Sequence, residues 1–78
     1  MSTQSRNKEF NQFFKQLGQR IRKLRLSREM VQEDMISYGF ATRHYQRIEA
    51  GFPINIKTAI RLCKAFKIKL TELFEGMQ

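Results

Sequence analysis

Fifteen lysines and arginines against seven acidic residues give this 78-residue chain a net charge of +8 and a pI near 10.3, a balance that favours a polyanionic partner. The length allows one domain, and a chain this small hides only about 60% of the surface its unfolded form exposes, so one core must be shared by every element. A mean hydropathy of −0.54, with no uninterrupted apolar run approaching about 18 residues, excludes a membrane span, and the single cysteine, Cys63, excludes an internal disulfide.

Residues 1–6 read as a flexible polar tail and residues 7–76 as a single folded domain. The opening MSTQSRNKEF has no apolar signal segment, so the expected location is cytoplasmic. From Asn7 to Arg28, Phe10, Phe13, Phe14, Leu17, Ile21 and Leu24 fall within an apolar stripe about 100° wide, which predicts a long first helix with Leu26 pointing outward. The same stretch holds Lys15, Arg20, Arg22, Lys23, Arg25 and Arg28 with no acid between Phe10 and Arg28. Such a stretch flanks DNA or lies on an anionic membrane. The apolar stripe is needed as the lid of the core, which disfavours the membrane.

A second helix is predicted from about Val31 to Tyr38, its acids Glu33 and Asp34 suiting the positive end of the helix dipole, and Gly39 permits a sharp reversal. A third runs from Ala41 to Ala50 and ends at Gly51. At about 100° per residue, Ala41, Tyr45 and Ile48 face the core, while Thr42, Arg43, Gln46 and Arg47 face outward. Asn55 is placed to cap a fourth helix whose inward side is Ile56, Ala59, Ile60, Cys63 and Phe66, and a short fifth helix follows near Leu70 to Glu75. The fold class is therefore all-α, a compact five-helix domain without strands, repeats or low-complexity segments.

Helix, short turn and exposed polar helix form one unit. With LGQRIRKLR at 17–25, Gln32, the Gly39 turn, RIEAG ending at Gly51 and LCKAFKIKLTELF at 62–74, the chain resembles the Cro/repressor-type (XRE-like) helix-turn-helix regulators. The resemblance covers about residues 17–74. The interval from Gln32 to the turn glycine and the loop after Gly51 are each one residue shorter than the commonest family pattern. It implies a lambda-repressor-like DNA-binding fold and a sequence-specific transcription regulator with the third helix in the major groove. It also implies an internal pair between Arg25 and Glu49, a Gln32 that hydrogen-bonds a DNA phosphate, and a dimer interface near the carboxy-terminal helices.

Chemistry assigns the remaining roles. Arg43 is the best base reader, since its fork matches guanine O6 and N7; Gln46 can address adenine, and Thr42 a thymine methyl or a phosphate. His44 and Arg47 at the edge of that face, with Asn55 and Lys57 at the start of the fourth helix, are expected on the DNA backbone. One short helix reads too few base pairs to find a genomic site, so a homodimer on a pseudo-palindromic operator is expected, with Phe66, Leu70, Phe74 and Met77 as interface candidates and Phe10 and Phe13 as a second possibility. The spacing of Cys63 and His44 supports no metal site, nothing calls for a cofactor, and no nucleophile has a base at plausible spacing, so no enzymatic activity is expected. The economy of the chain resembles restriction-modification controller proteins and small phage repressors. The alternative is an antitoxin-type interaction protein that binds a partner protein as well as its own promoter.

Overall fold

No proline and only one glycine interrupt the sequence between Thr3 and Ser27, and a helix once nucleated extends at little cost per residue. In the computed structural model, which describes residues 3–77 with side chains from residue 9 onward, α1 accordingly spans Thr3–Ser27. Residues 3–6 of the expected tail at 1–6 are drawn as the first turn of α1; Met1 and Ser2 lie outside the described residues. Glu29 then takes a left-handed conformation (φ 55°) and the Met30 N–H returns to the Arg25 carbonyl at 3.1 Å, turning the chain back.

The second helix, Gln32–Tyr38, is wound as a 3-10 helix rather than an α-helix. Both of its ends close over three residues. Asp34 Oδ2 accepts the Val31 N–H at 2.8 Å while the Asp34 N–H donates to the Val31 carbonyl at 3.0 Å. At the other end the N–H of Gly39 donates to the Ile36 carbonyl at 3.0 Å. These closures match the three-residue turn of a 3-10 helix. Gly39 sits at φ 91°, where a side chain is strained. Three α-helices follow: α2 (Thr42–Ala50), α3 (Ile56–Phe66) and α4 (Leu70–Leu73). The described residues thus form a compact, all-helical unit of five helices without a strand. Its radius of gyration is 12.9 Å and its longest extent 43 Å, the elongation matching a 25-residue α1 that runs about 37 Å at 1.5 Å per residue.

Leu17 and Ile21 of α1, Met35, Phe40, Tyr45 and Ile48 around α2, and Leu62 and Phe66 of α3 meet Leu73 of α4 in one buried core. Three expected core positions are corrected. Ala41 is exposed because it caps α2 instead of entering it. Ile56 and Ile60 are 60% and 45% exposed because the packed stripe of α3 is Ala59, Leu62, Cys63 and Phe66, extended by Thr58 and Ala65. Phe10 is 54% exposed, and Leu26 points outward as expected. Cys63 is buried as expected, and burial pushes its thiol up, with Glu72 adding to the effect. Phe66, named as an interface candidate, is 1% exposed and fully committed to the core; Leu70, Phe74 and Met77 are half-buried against it.

Gly18 lets α1 and α2 approach backbone to backbone. A Cβ there would lie 2.7 Å from the carbonyl oxygens of both Ile48 and Glu49, a distance no relaxed structure tolerates. Gly18→Ala is expected to destabilise the fold by about 1–3 kcal/mol through overpacking, even though Ala is the better helix former by about 1 kcal/mol. Gln19→Ala, exposed one residue along, is expected to change stability by less than about 0.5 kcal/mol. Urea unfolding of the two variants separates these outcomes.

Candidate nucleic-acid interface

The inner end of α2 is fixed by one polar network. Arg25 Nε donates to Glu49 Oε2 at 2.6 Å and Arg25 Nη2 to Oε1 at 3.2 Å, a bidentate grip between side chains only 8% and 6% exposed. The third nitrogen, Nη1, donates to the Met30 carbonyl at 2.8 Å, and Gln32 Nε2 donates to Glu49 Oε1 at 3.1 Å. Four segments are thereby joined: the end of α1, the turn at Met30, the start of the 3-10 helix and the end of α2. Burial on its own raises the Glu49 carboxyl, but hydrogen bonding from Arg25 first, with the nearby Tyr45 hydroxyl and the Gln32 amide adding to it, outweighs it and holds the group below the ordinary carboxylate range. The Glu49 hydrogen bond in turn raises Arg25 against the opposing effect of burial. The buried Tyr45 hydroxyl lies beside this carboxylate without a well-formed hydrogen bond, and burial followed by the Glu49 charge drives its pKa upward. The Arg25–Glu49 pair is as the resemblance implied. Gln32 is half-buried and spends one amide proton inside the protein, leaving only its remaining polar atoms for an outside contact.

Because Tyr45, Ile48 and Glu49 are held inward, the opposite side of α2 faces solvent. Arg43, His44, Gln46 and Arg47 are exposed and Thr42 is half-exposed. No ion pair engages either arginine among the described residues, so two guanidinium forks, an amide and an imidazole form an uncompensated, donor-rich surface. Arg47 extends over the exposed Phe52 ring, 5.4 Å from its centroid, and His44 packs 6.1 Å from the Phe40 ring. The amino end of α3 lies at the next bend. There Asn55 Oδ1 accepts the Thr58 N–H at 2.8 Å, the predicted cap, while Lys57 is exposed beside it.

Three of the six basic residues between Lys15 and Arg28 make contacts within the chain. Arg20 donates to the carbonyls of Glu72, Leu73 and Glu75 at 3.2, 3.3 and 2.6 Å. Arg28 donates to the Phe66 carbonyl at 2.9 Å and lies 5.9 Å from the Phe66 ring centroid. With Arg25 in its pair, only Lys15, Arg22 and Lys23 of the six remain exposed and outside these internal contacts. The reason is that carbonyls left open at the ends of α3 and α4 need donors, and arginine supplies several at once. Arg61, which was not singled out, compensates in part. It donates to the Gly39 carbonyl at 3.3 Å and covers Phe40 at 5.6 Å, bracing the turn into α2. The spacing of Lys57, Arg61 and Lys64 along one helical face was the available signal.

Comparison with family models, with curated proteins and with solved structures found no match for the chain. Among the described residues, no three His, Cys, Asp or Glu side chains gather to hold a metal ion, and no helix is long and apolar enough to cross a membrane.

Glu49→Ala leaves the Arg25 guanidinium buried without its carboxylate and is expected to cost about 3–5 kcal/mol, against less than about 0.5 kcal/mol for the exposed Glu33→Ala. A carboxyl depressed in the folded state stabilises it fully above its unfolded pKa of about 4.3 and loses that contribution as pH falls through the lower folded value. The stability gap between wild type and Glu49→Gln is therefore expected to be constant near neutrality and to shrink below about pH 4.3. Thermal melts of both proteins across that range, monitored by circular dichroism, test the sign.

Proposed function

We propose that this protein is a sequence-specific DNA-binding transcription regulator of helix-turn-helix type, in which the 3-10 helix and α2 are the paired helices and α2 enters the major groove. The observation that carries the reading is the division of α2: its inner side is locked by Tyr45, Ile48 and the Arg25–Glu49 pair, while its outer side presents Arg43, His44, Gln46 and Arg47 with no acidic partner among the described residues. A reading head needs both properties, because bidentate base contacts discriminate only when the helix carrying them is held at a fixed angle. Arg43 and Gln46 then read base edges, with Thr42 beside them. Arg47 braced on Phe52, His44, Lys57, the Asn55 amide and the remaining donor of Gln32 hold phosphates. Two copies act together on a pseudo-palindromic operator, because one nine-residue helix contacts too few base pairs to select a single site. The net charge of +8 supports attraction to a polyanion but carries no sequence information.

Binding sites are first enriched from a random duplex pool, and affinity for the enriched site is measured against salt. The logarithm of affinity is expected to fall with the logarithm of salt concentration at about −0.9 per phosphate neutralised. Arg43→Ala is expected to cost about 1–3 kcal/mol on the enriched site and to narrow its advantage over a scrambled duplex, whereas Lys57→Ala weakens both duplexes alike. Enrichment of no sequence, or an unchanged preference in Arg43→Ala, would refute the assignment of α2 as the reader.

A further inference from the structure

We propose that the basic face formed by the turn after α1, Tyr38 and the outer side of α3 is a docking surface for an acidic polypeptide segment that carries apolar side chains, a site separate from the reading face of α2. Tyr38, 38% exposed at the end of the 3-10 helix, borders two hollows that run on from one another. On one side of it lie Arg28, Met30, Phe66 and Lys67, and on the other Ile60, Arg61 and Lys64. Lys57 closes the second hollow at the amino end of α3 and is left to the phosphates of the reading above. Ile60 and Lys64, four residues apart and both exposed, share one side of α3, and Lys67 follows where that helix ends. Neither lining contains an acid, and the one ion pair among the described residues is that of Arg25 with Glu49. Arg28, Arg61, Lys64 and Lys67 therefore stand together uncompensated.

Two of these cations are already aimed. Arg28 donates through Nε to the Phe66 carbonyl and lies over the Phe66 ring, while Arg61 donates through Nη1 to the Gly39 carbonyl and lies over the Phe40 ring. No hydrogen bond among the described residues takes Nη2 of either guanidinium. Donors held still by internal contacts bind at lower entropic cost, and a carboxylate is the group whose geometry fits them. The apolar part of the face selects polypeptide over nucleic acid. Met30, Tyr38 and Ile60 offer contact area for which a phosphate backbone has no counterpart, whereas a peptide supplies leucines or aromatic rings beside its carboxylates. Single-stranded nucleic acid needs bare rings on which to stack its bases, but the rings of Phe66 and Phe40 are covered by the two arginines, which leaves Tyr38 alone on this face. The assignment does not rest on the reading of α2, and its test contains no duplex.

A displayed library of random short peptides is selected against the full chain, and the affinity of an enriched peptide is measured by fluorescence anisotropy. Enriched peptides are expected to combine several aspartates or glutamates with apolar residues. Lys64→Glu and Ile60→Ser, both at exposed positions, should each raise the dissociation constant by about tenfold or more, the scale on which an interface residue matters, while keeping the wild-type helical spectrum. Lys23→Glu makes the same change in net charge as Lys64→Glu but lies on the exposed side of α1, about 140° around the helix from Arg28 at about 100° per residue. It should bind the peptide as wild type does, and so should Arg43→Ala. The assignment is overturned by a selection that enriches no acidic peptide, by equal weakening in Lys23→Glu and Lys64→Glu, or by loss of the peptide in Arg43→Ala. Undiminished binding after the apolar residues of the peptide are changed to serine overturns it as well. So does a short oligothymidylate that displaces the peptide from wild type and loses its own binding in Lys64→Glu, since the face would then belong to nucleic acid. Peptide binding as expected by a chain that enriches no DNA sequence would remove the reading of α2 and leave this surface standing.

Discussion

A guanidinium withdrawn from water is tolerated only where its donors find acceptors of matching geometry, and at position 25 three nitrogens do so at once. Two meet the Glu49 carboxylate and the third meets the Met30 carbonyl, while Gln32 shares the same carboxylate oxygen. The end of α1, the turn at Met30, the start of the 3-10 helix and the end of α2 therefore meet in this network. Gly18 places α1 directly against the carbonyls of Ile48 and Glu49, so the close backbone approach and the ion pair constrain the same turn of α2. The arrangement costs desolvation of two charges and returns orientation, which is what the outer face of a short helix requires if its side chains are to meet another surface in register.

The basic residues divide into two populations that composition alone merges. Arg20, Arg25 and Arg28 donate to carbonyls or a carboxylate of the chain, whereas Arg43, Arg47 and Lys57 lie on the exposed side of α2 and the start of α3. The field felt at long range is still that of all the charges, but the groups able to form new contacts are fewer. Arg47 over Phe52 and Arg61 over Phe40 show a further device, in which an aromatic ring holds a long flexible cation in one direction without neutralising it.

Much of the fold was legible because helical periodicity is a direct consequence of 3.6 residues per turn. It placed Leu17, Ile21, Tyr45 and Ile48 in the core, left Leu26 outside, and located the glycine stops at 39 and 51 and the Asn55 cap. It misplaced Ile56 and Ile60 because α3 carries two overlapping apolar stripes, and only the packing against the 3-10 helix and α4 selects the one through Leu62. The 3-10 winding of Gln32–Tyr38 was hidden because the sequence supplies helix-forming signals common to both helix types, while the three-residue closures at Asp34 and Gly39 decide between them. The exposed face of α2 followed from angle alone. The carbonyl contacts of Arg20 and Arg28 did not, since the groups they reach belong to the backbone.

That last feature bears on how the fold is inherited. A contact between two side chains is written at two positions, so a change at Arg25 invites a compensating change at Glu49 and the two can drift together. The contacts of Arg20 with residues 72, 73 and 75, and of Arg28 with residue 66, are written at one position each, because any amino acid at the other end presents the same carbonyl. Residue 75 can therefore vary in side chain without loosening the tether to α1, and no correlated substitution would record that it exists. The tie between the two ends of the core is robust at its acceptors and wholly exposed to mutation at its donors.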